Sequence, residues 1–182
     1  MNKAIFLDRD GVLIFDPGHL AAREQVCLLA GVEALRRLTG RGYYLVIISN
    51  QSVVGRGLMT EKDMWDIDAH VRQLLEKKEV TIRASYYCPH YPPVSGVCEC
   101  RKPQPGLFIR AIQDLGIDPA QSVVIGDKPT DLEAGSAAGI PFGIVVKRNQ
   151  RQWEATADEL KRLKHKAVGI GQAVRLIERT YV

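Results

Sequence analysis

The sequence lacks any apolar run of the roughly 18 residues that a membrane-spanning helix needs. Its opening segment, Met1–Asp8, becomes charged too early for a secretory signal peptide. Internal repeats and low-complexity segments are absent as well. From these absences we expect a cytoplasmic protein with no membrane partner.

The excess of one sign of charge over the other is also small. The chain has 25 Lys and Arg against 21 Asp and Glu, a net charge of +4 with no dense basic block. Nucleic-acid-binding domains normally concentrate their basic residues in a patch or stripe, so no nucleic-acid partner is predicted. A weak positive excess suits a small anionic substrate. The length of 182 residues predicts a single domain over residues 1–182, which we expect to be a monomer.

Cysteine is scarce and unevenly distributed. Of the four cysteines, Cys88, Cys98 and Cys100 lie close together, and His90 lies among them. In a reducing compartment such a cluster favours metal binding over disulfides. Three thiolates and one imidazole are a closed ligand set for structural Zn²⁺, with no position left for a substrate. Cys27 stands alone in an apolar run, which predicts a small buried side chain.

Short apolar runs alternate with helical patterns along the chain. This alternation predicts an α/β fold, a doubly wound parallel sheet with helices on both faces. The predicted strands are Ala4–Leu7, Tyr44–Ile48, Val123–Ile125 and Phe142–Val146. The predicted helices are Val32–Leu38, Glu61–Lys78 with Thr60 as N-cap, Pro105–Leu115 ended by Gly116, and Gly171–Thr180.

Acidic residues follow the predicted strands directly. Asp8 and Asp10 come after the first strand, and Asp127 follows a later one, with Asp131 four residues on. Ligands of such sheets bind at the carboxyl ends of the strands, so we expect these carboxylates to share a crevice. Like charges held close together need a cation or a shared proton, and Mg²⁺ is the usual cation where phosphate is bound. One such Asp alone would more often be a cap or turn residue, but three strand-end positions favour a site.

Four segments, in this order, resemble the motifs of the haloacid dehalogenase (HAD) superfamily. They are Asp8-Arg9-Asp10-Gly11, Ser49, Lys102, and Gly126-Asp127-Lys128-Pro129-Thr130-Asp131. The resemblance implies a Rossmann-like, HAD-like hydrolase fold. No large insertion is present that could form a separate cap domain.

The resemblance also implies a phosphatase that works through a phospho-aspartyl intermediate. Asp8 would attack phosphorus, and Asp10 would protonate the leaving oxygen and then deprotonate water. Ser49 and Lys102 would stabilise the transferring phosphoryl group. Asp131 would support the neighbouring metal ligand or a metal-bound water. The Mg²⁺ ligands would be Asp8, Asp10 through its backbone carbonyl, and Asp127.

The region around the cysteine cluster resembles a narrower family, the D-glycero-D-manno-heptose 1,7-bisphosphate 7-phosphatases. The matching segments are Tyr86-Tyr87-Cys88-Pro89-His90, Cys98-Glu99-Cys100-Arg101-Lys102-Pro103, and Ser49-Asn50-Gln51-Ser52 with Arg56-Gly57. The resemblance implies a phosphorylated sugar as substrate, used in heptose synthesis for surface polysaccharide, and a zinc-binding loop at residues 88–100. The family's substrate contacts would be Asp16, Ser49, Asn50, Gln51, Ser52, Arg101, Lys102 and Lys128.

Two departures from the family pattern lie near the predicted substrate site. Pro17-Gly18-His19 stands where the family usually has Gly-Tyr, and Val53-Val54-Gly55 stands where it has Gly-Ile-Ala. These changes concern the reading of the sugar and its distal phosphate, not the reaction.

Two other functions remain open from the sequence. Histidinol-phosphate phosphatases share the catalytic motifs and the zinc loop, although Ser52 with Arg56-Gly57 favours the heptose substrate. A zinc-stabilised binding module without catalysis is the second alternative. Such a module would tend to lose catalytic residues, and here Asp8, Asp10 and Lys102 are all present.

Overall fold

The strands form one parallel sheet in a computed structural model that describes residues 1–18, 20, 22–149, 151–152 and 165–181. The strands are β1 (Lys3–Leu7), β2 (Tyr43–Asn50), β3 (Ala84–Cys88), β4 (Val123–Gly126), β5 (Phe142–Lys147) and β6 (Lys166–Val168). Their order in the six-stranded sheet is β3-β2-β1-β4-β5-β6, and every pairing is parallel. The predicted parallel α/β fold is therefore confirmed.

The helices lie between successive strands, except the last one, which follows β6. The α-helices are α1 (Arg36–Thr39), α2 (Ser52–Gly55), α3 (Glu61–Glu76), α4 (Pro92–Ser95), α5 (Gly106–Leu115), α6 (Pro129–Ala137) and α7 (Gly169–Tyr181). Short 3₁₀ turns occur at Arg23–Gln25, Val32–Leu35 and Pro119–Gln121. Thr60 caps α3 as predicted, because its hydroxyl accepts a hydrogen bond from the backbone N–H of Asp63 at 3.1 Å.

The sheet separates two apolar layers. Successive side chains of a strand point to opposite faces, so Ile5 and Leu7 of β1 pack on one side while Ala4 and Phe6 pack on the other. The first layer is covered by α3 and α7, and the second by α5 and α6. Both faces of the sheet are thus buried, which explains why the central strands read as continuous apolar runs.

The strand order reverses beside β1, and this reversal positions the site. From β1 the chain first adds β2 and β3 on one side, and β4 to β6 then continue on the other. The connections after β1 and β4 leave in opposite directions, which opens a crevice at the carboxyl ends of these two strands. Asp8 follows β1 and Asp127 follows β4, so both residues lie at this crevice.

The sequence prediction missed both edge strands. Only the last two residues of β3, Tyr87 and Cys88, are buried, and β6 is only three residues long. Edge strands are half exposed, so they lack the apolar run by which the central strands were found. The loop predicted from Cys88 onwards therefore begins at the end of a strand, and it contains α4.

Two further predictions need correction. The predicted helix Val32–Leu38 is a 3₁₀ turn followed by α1, although its apolar positions Val32, Leu35 and Leu38 are buried as expected. Cys27 is exposed rather than buried. Its segment pairs with residues 13–15 around an isolated antiparallel bridge between Ile14 and Leu28, and Cys27 faces outward between the partly buried Val26 and Leu28.

Parts of the sequence interpretation lie outside the described residues. These are His19, in one departure from the family pattern, and residues 153–164, in the charged segment that follows Arg151. Among the helices that the structure describes, none combines the length and apolarity that a membrane crossing requires.

Candidate active site

A cavity of about 410 Å³ opens at the carboxyl ends of β1, β2 and β4. All predicted catalytic, phosphoryl-stabilising and substrate-binding residues line it, and Asp127 lines an adjoining cavity. The lining residues among those predictions are Asp8, Asp10, Asp16, Ser49, Asn50, Gln51, Ser52, Arg101, Lys102 and Lys128. The fold therefore brings together groups from five separate segments.

Asp8 lies at the floor of this cavity and is nearly buried. Its backbone N–H donates to the carbonyl of Ile125 at 3.0 Å, which continues the β1–β4 pairing beyond the strand. Burial opposes ionisation of the carboxyl group, but the charge of Lys102 and a hydrogen bond from Ser49 outweigh it and lower the pKa of Asp8. Asp8 is thus held as an anion, the form in which a carboxylate can act as a nucleophile.

Lys102 is the cation that holds Asp8 in this form. Its buried ammonium group donates to Asp8 Oδ1 at 3.0 Å and to the carbonyl of Ile48 at 2.7 Å. It also pairs with Asp131 Oδ1 at 2.5 Å. Burial alone would lower the pKa of Lys102, but the charges of Asp8 and Asp131 raise it, so the ammonium stays charged.

The backbone of Lys102 is fixed separately by Asn50. The Asn50 amide accepts from the Lys102 backbone N–H and donates to the Lys102 carbonyl, each at 3.1 Å. Both polar atoms of this side chain are therefore engaged within the protein. Asn50 ties the end of β2 to the segment that carries the active-site cation.

Three carboxylates could hold a metal ion. Asp8, Asp127 and Asp131 have oxygens within 4.8 Å of one another. Asp127 Oδ1 is buried without a hydrogen-bond partner in the described chain, and the Lys128 ammonium, at 3.9 Å, is too distant to donate to it. Burial and then the charge of Asp8 raise the pKa of Asp127 to about 7. A converging set of acidic oxygens with one buried oxygen left unpaired fits a hard divalent cation.

Gly11 makes room for this acidic group. Its φ of +80° is unfavourable for residues with a side chain, and an added Cβ would lie 2.7 Å from Asp127 Oδ2. The glycine of the Asp8–Gly11 motif is thus required both by its backbone conformation and by the close approach of Asp127.

The Asp10 carboxylate is not part of this acidic group and is held by two neighbours. Arg9 donates to it twice, Nε to Oδ1 at 3.2 Å and Nη2 to Oδ2 at 3.0 Å, and Gln51 Nε2 donates to Oδ2 at 2.7 Å. The predicted Mg²⁺ contact of Asp10 is through its backbone carbonyl, which this side-chain arrangement leaves unaffected. Sequence reasoning missed Arg9, and its only signal was a position between two functional aspartates.

The cysteine cluster forms a second compact group. Cys88 Sγ lies 3.6 Å from Cys98 Sγ and 3.0 Å from Cys100 Sγ, and His90 Nδ1 lies 3.2 Å from Cys100 Sγ. A tetrahedron with Zn–S bonds of about 2.3 Å has edges of about 3.8 Å, so the four donors are close to the spacing of one tetrahedral metal site. The predicted ligand set is thus assembled in the structure.

The segment that holds these cysteines leads directly to the active site. Arg101 follows the last cysteine, and its Nη1 donates to the carbonyl of His90 at 3.1 Å, which ties the rim of the cavity to the cluster. Across the cavity, Lys128 is more exposed, and the Asp16 carboxylate accepts from the backbone N–H of Gly18 at 2.7 Å. Charged groups of both signs therefore surround the entrance.

Comparison with known proteins agrees with this architecture. A HAD-hydrolase-like family model matches residues 99–170. The chain is 40% identical over 152 residues to D-glycero-beta-D-manno-heptose-1,7-bisphosphate 7-phosphatase of Haemophilus influenzae, covering 81% of this chain and 83% of that protein. It is 37% identical over 183 residues to the protein of the same name from Pasteurella multocida, covering 98% of each chain.

A solved structure resembles the fold over nearly its whole length. It is the D,D-heptose 1,7-bisphosphate phosphatase of B. bronchiseptica complexed with magnesium and phosphate. The two share a TM-score of 0.84 and 26% sequence identity, over 97% of this chain and 98% of the other.

Proposed function

The chain belongs to the family of D-glycero-D-manno-heptose 1,7-bisphosphate 7-phosphatases, and we propose that it hydrolyses the 7-phosphate of this sugar through a phospho-aspartyl intermediate on Asp8. The observation that carries the proposal is the buried pair of Asp8 and Lys102 at the floor of the cavity. The reaction would serve nucleotide-activated heptose synthesis for surface polysaccharide.

The first half-reaction transfers the phosphoryl group to the enzyme. An Asp8 oxygen attacks phosphorus, the bond between phosphorus and the sugar oxygen breaks, and Asp10 supplies the proton that the leaving oxygen takes up. Ser49 and Lys102 donate to the phosphoryl oxygens, where negative charge must be stabilised. This role is supported by the position of both groups beside the Asp8 carboxylate.

The second half-reaction restores the enzyme. Asp10 takes a proton from a water molecule, the water oxygen bonds to phosphorus, and the bond between phosphorus and Asp8 breaks. Inorganic phosphate and the free Asp8 carboxylate result. One acidic side chain thus serves as acid and then as base.

We propose Asp8, Asp127 and the backbone carbonyl of Asp10 as ligands of Mg²⁺, with Asp131 beside them. The clustered carboxylates and the unpaired Asp127 oxygen support this assignment, as does the magnesium bound in the B. bronchiseptica enzyme. When bound, the cation screens the repulsion between the Asp8 anion and the phosphate dianion.

We propose Zn²⁺ at Cys88, His90, Cys98 and Cys100, within a zinc-binding loop at residues 88–100. The near-tetrahedral spacing of the four donors supports it. A saturated site has no position for substrate, so the metal would act by fixing the loop that leads to Arg101 and Lys102.

The remaining predicted substrate residues are proposed to read the sugar and its second phosphate. Asp16, Ser52, Arg101 and Lys128 line the cavity and are candidates for direct contact. Asn50 and Gln51 line it too, but their amides are engaged with protein groups, so we propose that they act through the groups they hold. The monomeric state, the single-domain organisation, the cytoplasmic location and the lack of nucleic-acid or membrane partners stay predictions.

Phosphate release from a panel of substrates tests the proposed function. With saturating Mg²⁺, kcat/KM for heptose 1,7-bisphosphate should exceed that for histidinol phosphate and for other sugar bisphosphates by about tenfold or more, because contacts selective for one substrate give differences of this order. Faster turnover of histidinol phosphate would contradict the substrate assignment. No turnover of any phosphate monoester would contradict the reaction.

A further inference from the structure

Both polar atoms of the Gln51 side-chain amide form hydrogen bonds with other active-site residues. Nε2 donates to Asp10 Oδ2 at 2.7 Å and to Ser49 Oγ at 3.1 Å, while Oε1 accepts from Arg9 Nη2 at 2.6 Å. Gln51 is only 3% exposed. Both N–H groups of the amide are therefore used within the protein, and only the second lone pair of Oε1 could accept from a sugar hydroxyl without breaking one of these bonds.

Arg9 occupies the opposite side of the Asp10 carboxylate. It is fully buried, and its Nε and Nη2 grip both carboxylate oxygens. The guanidinium also faces the ring of Tyr87, at 5.6 Å from the ring centroid, and the Tyr87 hydroxyl donates to Asp68 at 2.6 Å. The guanidinium is therefore held by its own neighbours as well as by Asp10.

Burial of the Arg9 guanidinium is energetically unfavourable. Removing its charge from water costs free energy, which an apolar side chain of similar volume would not cost. Arg9 Nη1 has no hydrogen-bond partner among the described residues, so the charge is stabilised mainly where it meets Asp10. This points to a role that depends on the orientation of Asp10.

We propose that Arg9 and Gln51 form a clamp that fixes the Asp10 carboxylate in the orientation needed for proton transfer, and that Gln51 is a positioning residue rather than a sugar contact. The inference rests on the proposed function, because Asp10 matters only as the acid and base of that reaction. Without the clamp, the Asp10 side chain could rotate about its two torsions. Proton transfer to the leaving oxygen would then slow, whereas attack by Asp8 would not.

The clamp predicts a loss that depends on the leaving group. An alkoxide leaving group needs a proton from Asp10, but a nitrophenolate leaves without one. The value of kcat/KM reports phosphoryl transfer to Asp8 for both, because departure of the leaving group makes that step irreversible at initial rates. Gln51→Met keeps the length of the side chain and removes both hydrogen-bonding groups.

The experiment compares three substrates: heptose 1,7-bisphosphate, a simple alkyl phosphate and p-nitrophenyl phosphate. Gln51→Met should lower kcat/KM about tenfold or more on both alkyl substrates and less than about threefold on the aryl phosphate. Arg9→Lys keeps the positive charge but cannot donate to both Asp10 oxygens as the guanidinium does, so it should also lose more activity on the alkyl substrates than on the aryl phosphate. In an Asp10→Asn background Gln51→Met should have almost no further effect, because the residue it positions is gone.

Three results would overturn the clamp. A loss on heptose bisphosphate alone would make Gln51 a sugar contact. An equal loss on all three substrates would indicate general damage to the site, and additive effects in the double variant would show that Gln51 acts independently of Asp10. Failure of the proposed function would look different, since wild-type protein would not turn over heptose bisphosphate while the alkyl–aryl comparison still applied.

Discussion

The ammonium group of Lys102 lies 3.0 Å from the carboxylate of Asp8, although the two residues are 94 positions apart in the chain. Both side chains are nearly buried, and each shifts the pKa of the other toward its charged form. The fold thus maintains an ionised nucleophile and a cation for the incoming phosphoryl group in one place. Catalysis by this pair leads to the first prediction.

Asp8→Asn should abolish turnover. An amide cannot form the acyl phosphate, so kcat should fall by about a thousandfold or more, which is roughly 4 kcal/mol of transition-state stabilisation. Acid-quenched protein should carry no phosphate, as measured by mass spectrometry. Asp66→Asn, an exposed carboxylate on α3, is the matched control and should keep wild-type activity. Near-normal turnover by Asp8→Asn would rule out the covalent intermediate.

Asp10→Asn should slow the enzyme according to the leaving group. The amide cannot donate a proton as the acid does, so kcat/KM for heptose bisphosphate should fall by roughly a hundredfold or more. The fall should be much smaller for p-nitrophenyl phosphate. Equal losses on the two substrates would show that Asp10 shapes the site rather than transferring protons.

Zinc loss should disturb the substrate site without removing the magnesium site. Cys98→Ser should lower bound zinc, measured by elemental analysis, and should weaken substrate use, because the loop leading to Arg101 and Lys102 loses its cross-link. Magnesium binding at the strand ends should survive. Cys27→Ser is the matched control, since Cys27 is exposed and outside the cluster, and it should keep both zinc and activity. Zinc-free Cys98→Ser protein with full activity would contradict this account.

Magnesium binding should depend on pH through Asp127. Its pKa in the protein without added metal is raised to about 7, above the ordinary value of 3.8, by burial and by Asp8. Because the folded protein binds this proton more tightly than the unfolded chain does, the proton contributes stability that is fully present below the ordinary pKa of 3.8 and is lost as the pH rises through about 7. A bound cation would take the place of the lost proton.

The measurement is the shift in melting temperature on adding Mg²⁺. The shift should be larger at pH 8 than at pH 5.5, because protons compete with the cation at the lower pH. Asp127→Asn should abolish most of this difference. A shift that is the same at both pH values, or larger at pH 5.5, would contradict the assignment of Asp127.

The sequence predicted the central strands and the residues at their ends for a simple reason. Strands buried on both faces need continuous apolar runs, and polar residues directly after such runs stand out. Asp8, Asp127 and Ser49 were recognisable in this way, and the cysteine spacing pointed to a metal cluster. The edge strand Ala84–Cys88 was missed because partial exposure removes the apolar run.

Other features depend on packing that no local pattern records. Arg9 reads as an ordinary charged residue, yet it is fully buried and grips Asp10 and Gln51, the latter 42 positions away. The sequence predicts Asn50 as a substrate contact, but its amide forms hydrogen bonds with the backbone of Lys102. The first contact follows from the pairing of β1 with β2, and the second from the contact between the end of β2 and the cysteine-containing loop.

The central claim is that this chain removes the 7-phosphate of heptose 1,7-bisphosphate. The most direct measurement is ³¹P NMR of the reaction of wild-type protein with that substrate and Mg²⁺. We predict that the resonance of the 7-phosphate disappears, inorganic phosphate appears in equal amount, and the 1-phosphate remains on the sugar. Loss of the 1-phosphate, or no release of phosphate, would contradict the account.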